Sequence, residues 1–165
     1  MSEQKVSDQT PDQPIVVEDH GVFALAIGCI DGREGHPVSE WIKRMYPNVD
    51  HIDNVKAPGT DGLLSGTIMG QLEVAGVEMS VEDRVKALQF DATISLTKHH
   101  PKVVIVSGHI GCAGNPVSRE EHINQIKLSI KTVKGWGILA HIPVHGLYVS
   151  TDPVTRLWVA EEIKD

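Results

Sequence analysis

The chain has 165 residues, 41% of them hydrophobic and 22% charged, with 15 basic against 22 acidic side chains and a net charge of −7. That is enough for one domain with a proper core, and it excludes wholesale disorder. The acidic balance argues against a nucleic-acid binder, and no apolar run approaches the 18 residues of a membrane span.

The N-terminal stretch "MSEQKVSDQTPDQP" is polar and has no hydrophobic region of the kind a signal peptide carries. Residues 1–18 read as a polar arm, with residues 19–165 as a single α/β domain. A cytoplasmic protein is the expectation. "VFALAIG", Val22 to Gly28, is a short continuous apolar run that suits a strand buried on both faces of a parallel sheet. In "HPVSEWIKRMYPN", Val38, Trp41, Ile42 and Met45 recur at helical spacing. Pro37 fits the first turn of that helix and Pro47 ends it. "VDHIDNV" reads as a weaker strand, and "KAPGTDG" as a loop punctuated by Pro58, Gly59 and Gly62.

Leu63 to Gly76 reads as a helix interrupted by Gly66 and Gly70. Ser80, with Asp83 three residues on, opens a further helix along Val81, Val85, Leu88 and Ala92 that ends near His99. "KVVIVSG", Lys102 to Gly108, is a second buried strand, and "HIGCAGNP" is the loop after it. Ser118 and Glu121 start another helix, whose buried face is marked by Ile123, Ile126, Ile130 and Val133. "PVHGLYVS" and "RLWVAEE" read as two late strands around the turn "TDPVT". Strands alternating with helices predict a mostly parallel sheet flanked by helices, and the late pair predicts an antiparallel edge strand.

The only two cysteines, Cys29 and Cys112, carry the chemistry. Cys29 lies just past the first buried strand. His109 lies just past the second, and Cys112 follows three residues later. Ligand sites in open α/β sheets form outside the carboxyl ends of the strands. If the two strands are neighbours, Cys29, His109 and Cys112 converge into a Cys2His set, which leaves the fourth position of a tetrahedral zinc ion open, as catalytic zinc requires. Asp31 is placed to accept a hydrogen bond from a water on the metal, and Arg33 to hold that carboxylate in a bidentate pair. Inert buried thiols, or a disulfide, would leave His109, Asp31 and Arg33 without a role.

"CIDGR" and "GHIGC" resemble the C-x-D-x-R and H-x-x-C zinc motifs of the β-class carbonic anhydrases, and the chain resembles a compact member of that family from about Val22 to Val159. "VHGLYVSTDPVTRLWV" is similar to the family's late hairpin. The resemblance implies Zn2+ on Cys29, His109 and Cys112, with Asp31 and Arg33 as the catalytic dyad beside it. It implies reversible hydration of CO2 to bicarbonate and a proton by zinc-bound hydroxide. It also implies a homodimer or higher homo-oligomer with the site near the subunit interface. "KAPGTDG" stands where the family carries an Asn-Ala-Gly segment, and Ala113 where it commonly has glycine. Two alternatives stay open: a carbonyl sulfide or carbon disulfide hydrolase on the same scaffold, and a non-catalytic zinc-stabilised assembly module.

Overall fold

The computed structural model describes residues 21–164; the expected arm at residues 1–18 lies outside them. Five strands form the main sheet: β1 (Phe23–Gly28), β2 (His51–Lys56), β5 (Val104–His109), β6 (Val144–Thr151) and β7 (Trp158–Glu162). Their order is β2-β1-β5-β6-β7. The first four pair in parallel, and β7 runs antiparallel to β6 with Val149 opposite Ala160. The expected class is therefore the observed one.

Alternation along the central strands builds a core on each face of the sheet. Leu25, Ile27, Val104, Val106 and Tyr148 point to one side. There they pack with residues of α2 (Thr60–Ser65), α3 (Val81–Ile94) and α4 (Arg119–Lys134). Ala24, Ala26, Ile105, Leu147 and Val149 point to the other, against Val38, Trp41 and Ile42 of α1 (Gly32–Met45). Both faces are covered, which is why residues 22–27 and 103–106 are apolar at successive rather than alternate positions.

Three local expectations need correction. Helix α1 begins at Gly32, so Pro37 lies inside the helix and not in its first turn. The start is fixed by Asp31, whose side chain accepts the Arg33 backbone N–H at 2.9 Å. This cap outweighs the two glycines of "GREG" and the bond that Pro37 cannot donate. The section from Leu63 to Gly76 is not one helix either. Only Thr60–Ser65 is helical, so the end of "KAPGTDG" belongs to α2. The chain then forms a separate antiparallel hairpin of β3 (Gln71–Val74) and β4 (Val77–Ser80). Its two-residue turn has positive φ at both Ala75 (52°) and Gly76 (79°), the backbone that matches strand twist in a tight hairpin. Finally, the buried face of α4 is more polar than its isoleucines suggest. His122, Gln125 and Ser129 are fully buried with Ile126 and Val133, while Ile123 and Ile130 are only half-buried.

The other helix starts match their signals. Ser80 caps α3 through the Asp83 N–H at 3.0 Å, and Ser118 caps α4 through the Glu121 N–H at 3.2 Å. A π-helical turn, Ser95–His99, carries α3 on to the expected end near His99.

Candidate metal centre

Strands β1 and β5 are neighbours, with Leu25 opposite Val104 and Ile27 opposite Val106. The chain leaves β1 for β2 on one side and returns in β5 on the other, so their carboxyl ends lie at a switch point of the sheet. Cys29 follows β1 directly. His109 is the last residue of β5, and Cys112 sits on the loop beyond it. All three are buried, and their ligand atoms lie within 4.8 Å of one another.

The geometry suits a metal. Cys29 Sγ and Cys112 Sγ are 3.7 Å apart. Two thiolates on one tetrahedral zinc ion, each bonded at about 2.3 Å, stand about 3.8 Å apart. The His109 ring has a buried Nε2 with no hydrogen-bond partner, while Nδ1–H donates to the Ile110 carbonyl at 3.0 Å. That bond holds the tautomer in which Nε2 offers its lone pair. A buried acceptor left without a donor, beside two sulfurs, fits a soft divalent cation. Cys29, His109 and Cys112 would hold it.

The two thiols share charge unevenly. Cys29 is held well below the usual thiol range, chiefly by the hydrogen bond from Cys112, against burial, with help from His109 and from the backbone amides of Asp31 and Gly59. Cys112 is pushed up by the same bond, by burial and by the charge on Cys29. Burial works against the charged form of His109, but the neighbouring Cys29 sulfur and the Ile110 carbonyl outweigh it and raise the ring. A divalent ion would replace the shared proton and let both sulfurs ionise.

Asp31 and Arg33 sit beside this cluster and face each other. Arg33 Nε–H donates to Oδ1 at 2.9 Å and Nη2–H to Oδ2 at 2.6 Å. The side-chain bonds from Arg33, with its backbone amide, hold the Asp31 carboxyl well below the usual carboxylate range. The guanidinium lies 5.2 Å from the ring centroid of Trp158 on β7, so the antiparallel edge strand braces the pair. Asp31 is not among the residues whose ligand atoms cluster.

The segment "KAPGTDG" forms the neighbouring wall. The Thr60 hydroxyl donates to the Gly28 carbonyl at 2.6 Å. Gly59 adopts φ +62°, and a Cβ there would stand 2.5 Å from the Gly114 carbonyl oxygen. Loop and strand ends thus meet backbone to backbone, which brings the Gly59 amide toward both thiols. Between the hairpin and this wall runs an apolar groove of about 450 Å³, lined by Leu72, Val74, Val77, Met79, Pro58 and Ala113 among others, but by none of the three ligand residues.

Several polar residues of the site region escape sequence reasoning. Glu34 is fully buried and accepts the Cys29 backbone N–H at 2.7 Å. Asp61 and His122 form a buried pair, Nδ1 to Oδ2 at 2.5 Å, and Asn115 donates to the other Asp61 oxygen at 3.0 Å. Only His122 carried a signal, four residues before Ile126 on the predicted buried face of α4; Asp61 and Asn115 lie in stretches read as loops.

A family model described as putative carbonic anhydrase matches residues 19–163. No curated protein matches the chain. Among solved structures, the chain is similar to β-carbonic anhydrase isoform I from the protozoan Trichomonas vaginalis. The identity is 14%, over 95% of this chain and 88% of that one, with a TM-score of 0.46. It is also similar to the β-carbonic anhydrase CafA of the fungal pathogen Aspergillus fumigatus. Here the identity is 15%, over 88% of this chain and 77% of that one, with a TM-score of 0.35.

Proposed function

The chain belongs to the family described as putative carbonic anhydrase, and from that membership we propose that it catalyses the zinc-dependent reversible hydration of CO2 to bicarbonate and a proton. The observation that carries the reading is the convergence of Cys29, His109 and Cys112, buried and with ligand atoms within 4.8 Å of one another. Zinc held there would supply Lewis-acid chemistry, making a water nucleophilic at neutral pH.

The chain's own residues do the rest. Cys29 and Cys112 bring two negative charges, and His109 brings a neutral nitrogen fixed by its Ile110 bond. Asp31 stays ionised, so it accepts a hydrogen bond from the attacking water and orients its lone pair, but does not keep the proton. Arg33 occupies both Asp31 oxygens. It would thereby keep the carboxylate from binding an ion held by Cys29, His109 and Cys112, leaving that ion accessible to water and substrate. The three residues that would hold the ion are all buried, which would limit its contact with bulk water.

That engagement of Asp31 supports a catalytic site over a closed structural one. A homodimer or higher homo-oligomer suits the exposed apolar side chains Ile30, Ile110 and Leu157; the first two directly follow ligand residues. A cytoplasmic location suits a site that needs both thiols reduced. Among the described residues no helix is long and apolar enough to cross a membrane.

A stopped-flow CO2 hydration assay on zinc-loaded protein tests the reading, over a pH range of roughly 6.5 to 9 that brackets the ionisation of a zinc-activated water. A rate above buffer is expected. No rate above buffer overturns it.

A further inference from the structure

Glu34 is the charged residue in "GCIDGRE" to which the reading above gives no task. It lies in the first turn of α1, where an acidic side chain normally faces solvent and complements the helix dipole. Here it turns inward and is fully buried. Burying a carboxylate costs several kcal/mol unless its oxygens are bonded. A helix that already packs through Val38, Trp41 and Ile42 gains nothing from it as core.

Its partners lie on or just past three strands. One oxygen accepts the Cys29 backbone N–H at 2.7 Å. The other accepts the Ser107 hydroxyl and stands 3.9 Å from Lys56 Nζ. Cys29 is the first residue past the β1 ladder, whose last paired position is Gly28 opposite Lys56. Ser107 is on β5, two residues before His109, and Lys56 ends β2. The space is reserved as well: a Cβ on Gly28 would run into the Glu34 carboxylate and the Ser107 hydroxyl.

We propose that Glu34 is a positioning residue of the metal centre. Its carboxylate holds the Cys29 backbone directly, and through Ser107 the end of β5 that carries His109, so that thiol and imidazole stand in ligand geometry before the ion arrives. The proposal rests on the metal-binding reading above. It assigns Glu34 no proton transfer and no contact with substrate. Partners that orient a metal ligand typically contribute about 10–100-fold to metal affinity.

The experiment is zinc competition against a chromophoric chelator with wild-type, E34Q, E34D and E34A chains, together with visible spectra of the cobalt(II)-loaded forms. E34Q keeps the side-chain length and an acceptor for the Cys29 amide. E34D keeps the charge but falls one methylene short. The zinc dissociation constant is expected to rise by at least about 10-fold in E34D and E34A, with shifted cobalt bands. E34Q is expected to stay near wild type on both measures. Folded E34D with wild-type zinc affinity overturns the proposal, as does E34Q weakened as much as E34D. If neither E34D nor E34A folds with zinc present, Glu34 serves the scaffold alone and the proposal falls. A wild-type chain that takes up no zinc removes the metal reading itself, which the wild-type arm shows independently of Glu34.

Discussion

Asp31 receives three hydrogen bonds from Arg33: one from the backbone amide at 2.9 Å, one from Nε at 2.9 Å and one from Nη2 at 2.6 Å. The same carboxylate therefore starts α1 and is held beside the metal ligands. One residue two positions away controls both.

Removing the guanidinium frees that carboxylate. In R33A, Asp31 is expected to swing to the open metal position, and kcat/KM is expected to fall by roughly 10–100-fold, the usual effect of losing a partner that orients a ligand. R33K should fall as well, because an ammonium cannot reproduce the bidentate fork. X-ray absorption on zinc-loaded R33A should show the change in the light-atom ligand. Full activity together with an unchanged open site in R33A would contradict the assigned role of the dyad.

The three ligands are expected to act as a set. Cys29→Ala or Cys112→Ala should leave protein that retains little zinc after dialysis, measured by elemental analysis, because two donors cannot hold the ion as three do. Chelator treatment of the wild-type chain should abolish CO2 hydration, and added zinc should restore it. Retention of stoichiometric zinc by either variant would remove that cysteine from the ligand set.

How far this centre was legible depends on which forces place each residue. Cys29 and His109 were readable because each ends a strand buried on both faces, and such strands announce themselves as unbroken apolar runs. Cys112 was readable because the chain has only two cysteines. The sheet class followed from the same runs. Glu34 was not readable, since an acidic residue in a helix's first turn looks solvated until tertiary contacts with Cys29 and Ser107 turn it inward. His122 and Gln125 were hidden for a similar reason: they break the apolar stripe of α4, and their bonds to Asp61, Asn115 and Thr67 make burial tolerable. The hairpin is hidden because Gly66 and Gly70 read as interruptions of a helix, and Ala75 with Gly76 is not the Asn-Gly or Asp-Gly pair that marks a two-residue turn.

Gly59 is expected to tolerate no side chain. Alanine would pay for a left-handed backbone and would also place a Cβ 2.5 Å from the Gly114 carbonyl oxygen. Together these should destabilise G59A by roughly 2–4 kcal/mol in denaturant unfolding. The displaced loop carries Cys112, so zinc affinity should fall too. A G59A chain of wild-type stability would show that the loop relaxes freely.

The buried pair of Asp61 and His122 makes the contrasting prediction: it should matter to the fold more than to the metal. Both side chains are at most 2% exposed, and Asp61 also accepts from Asn115. H122A would leave an Asp61 oxygen without its partner and open a cavity beside Tyr148, whose ring centroid lies 5.8 Å from that of His122. The expected cost is roughly 2–4 kcal/mol, from the unsatisfied acceptor together with the lost packing. The folded fraction of H122A should still bind zinc with wild-type stoichiometry, because no ligand residue hydrogen-bonds to either member of the pair. Denaturant unfolding and elemental analysis on one preparation separate the two effects. Zinc lost in H122A while stability is unchanged would place the pair in the metal centre instead.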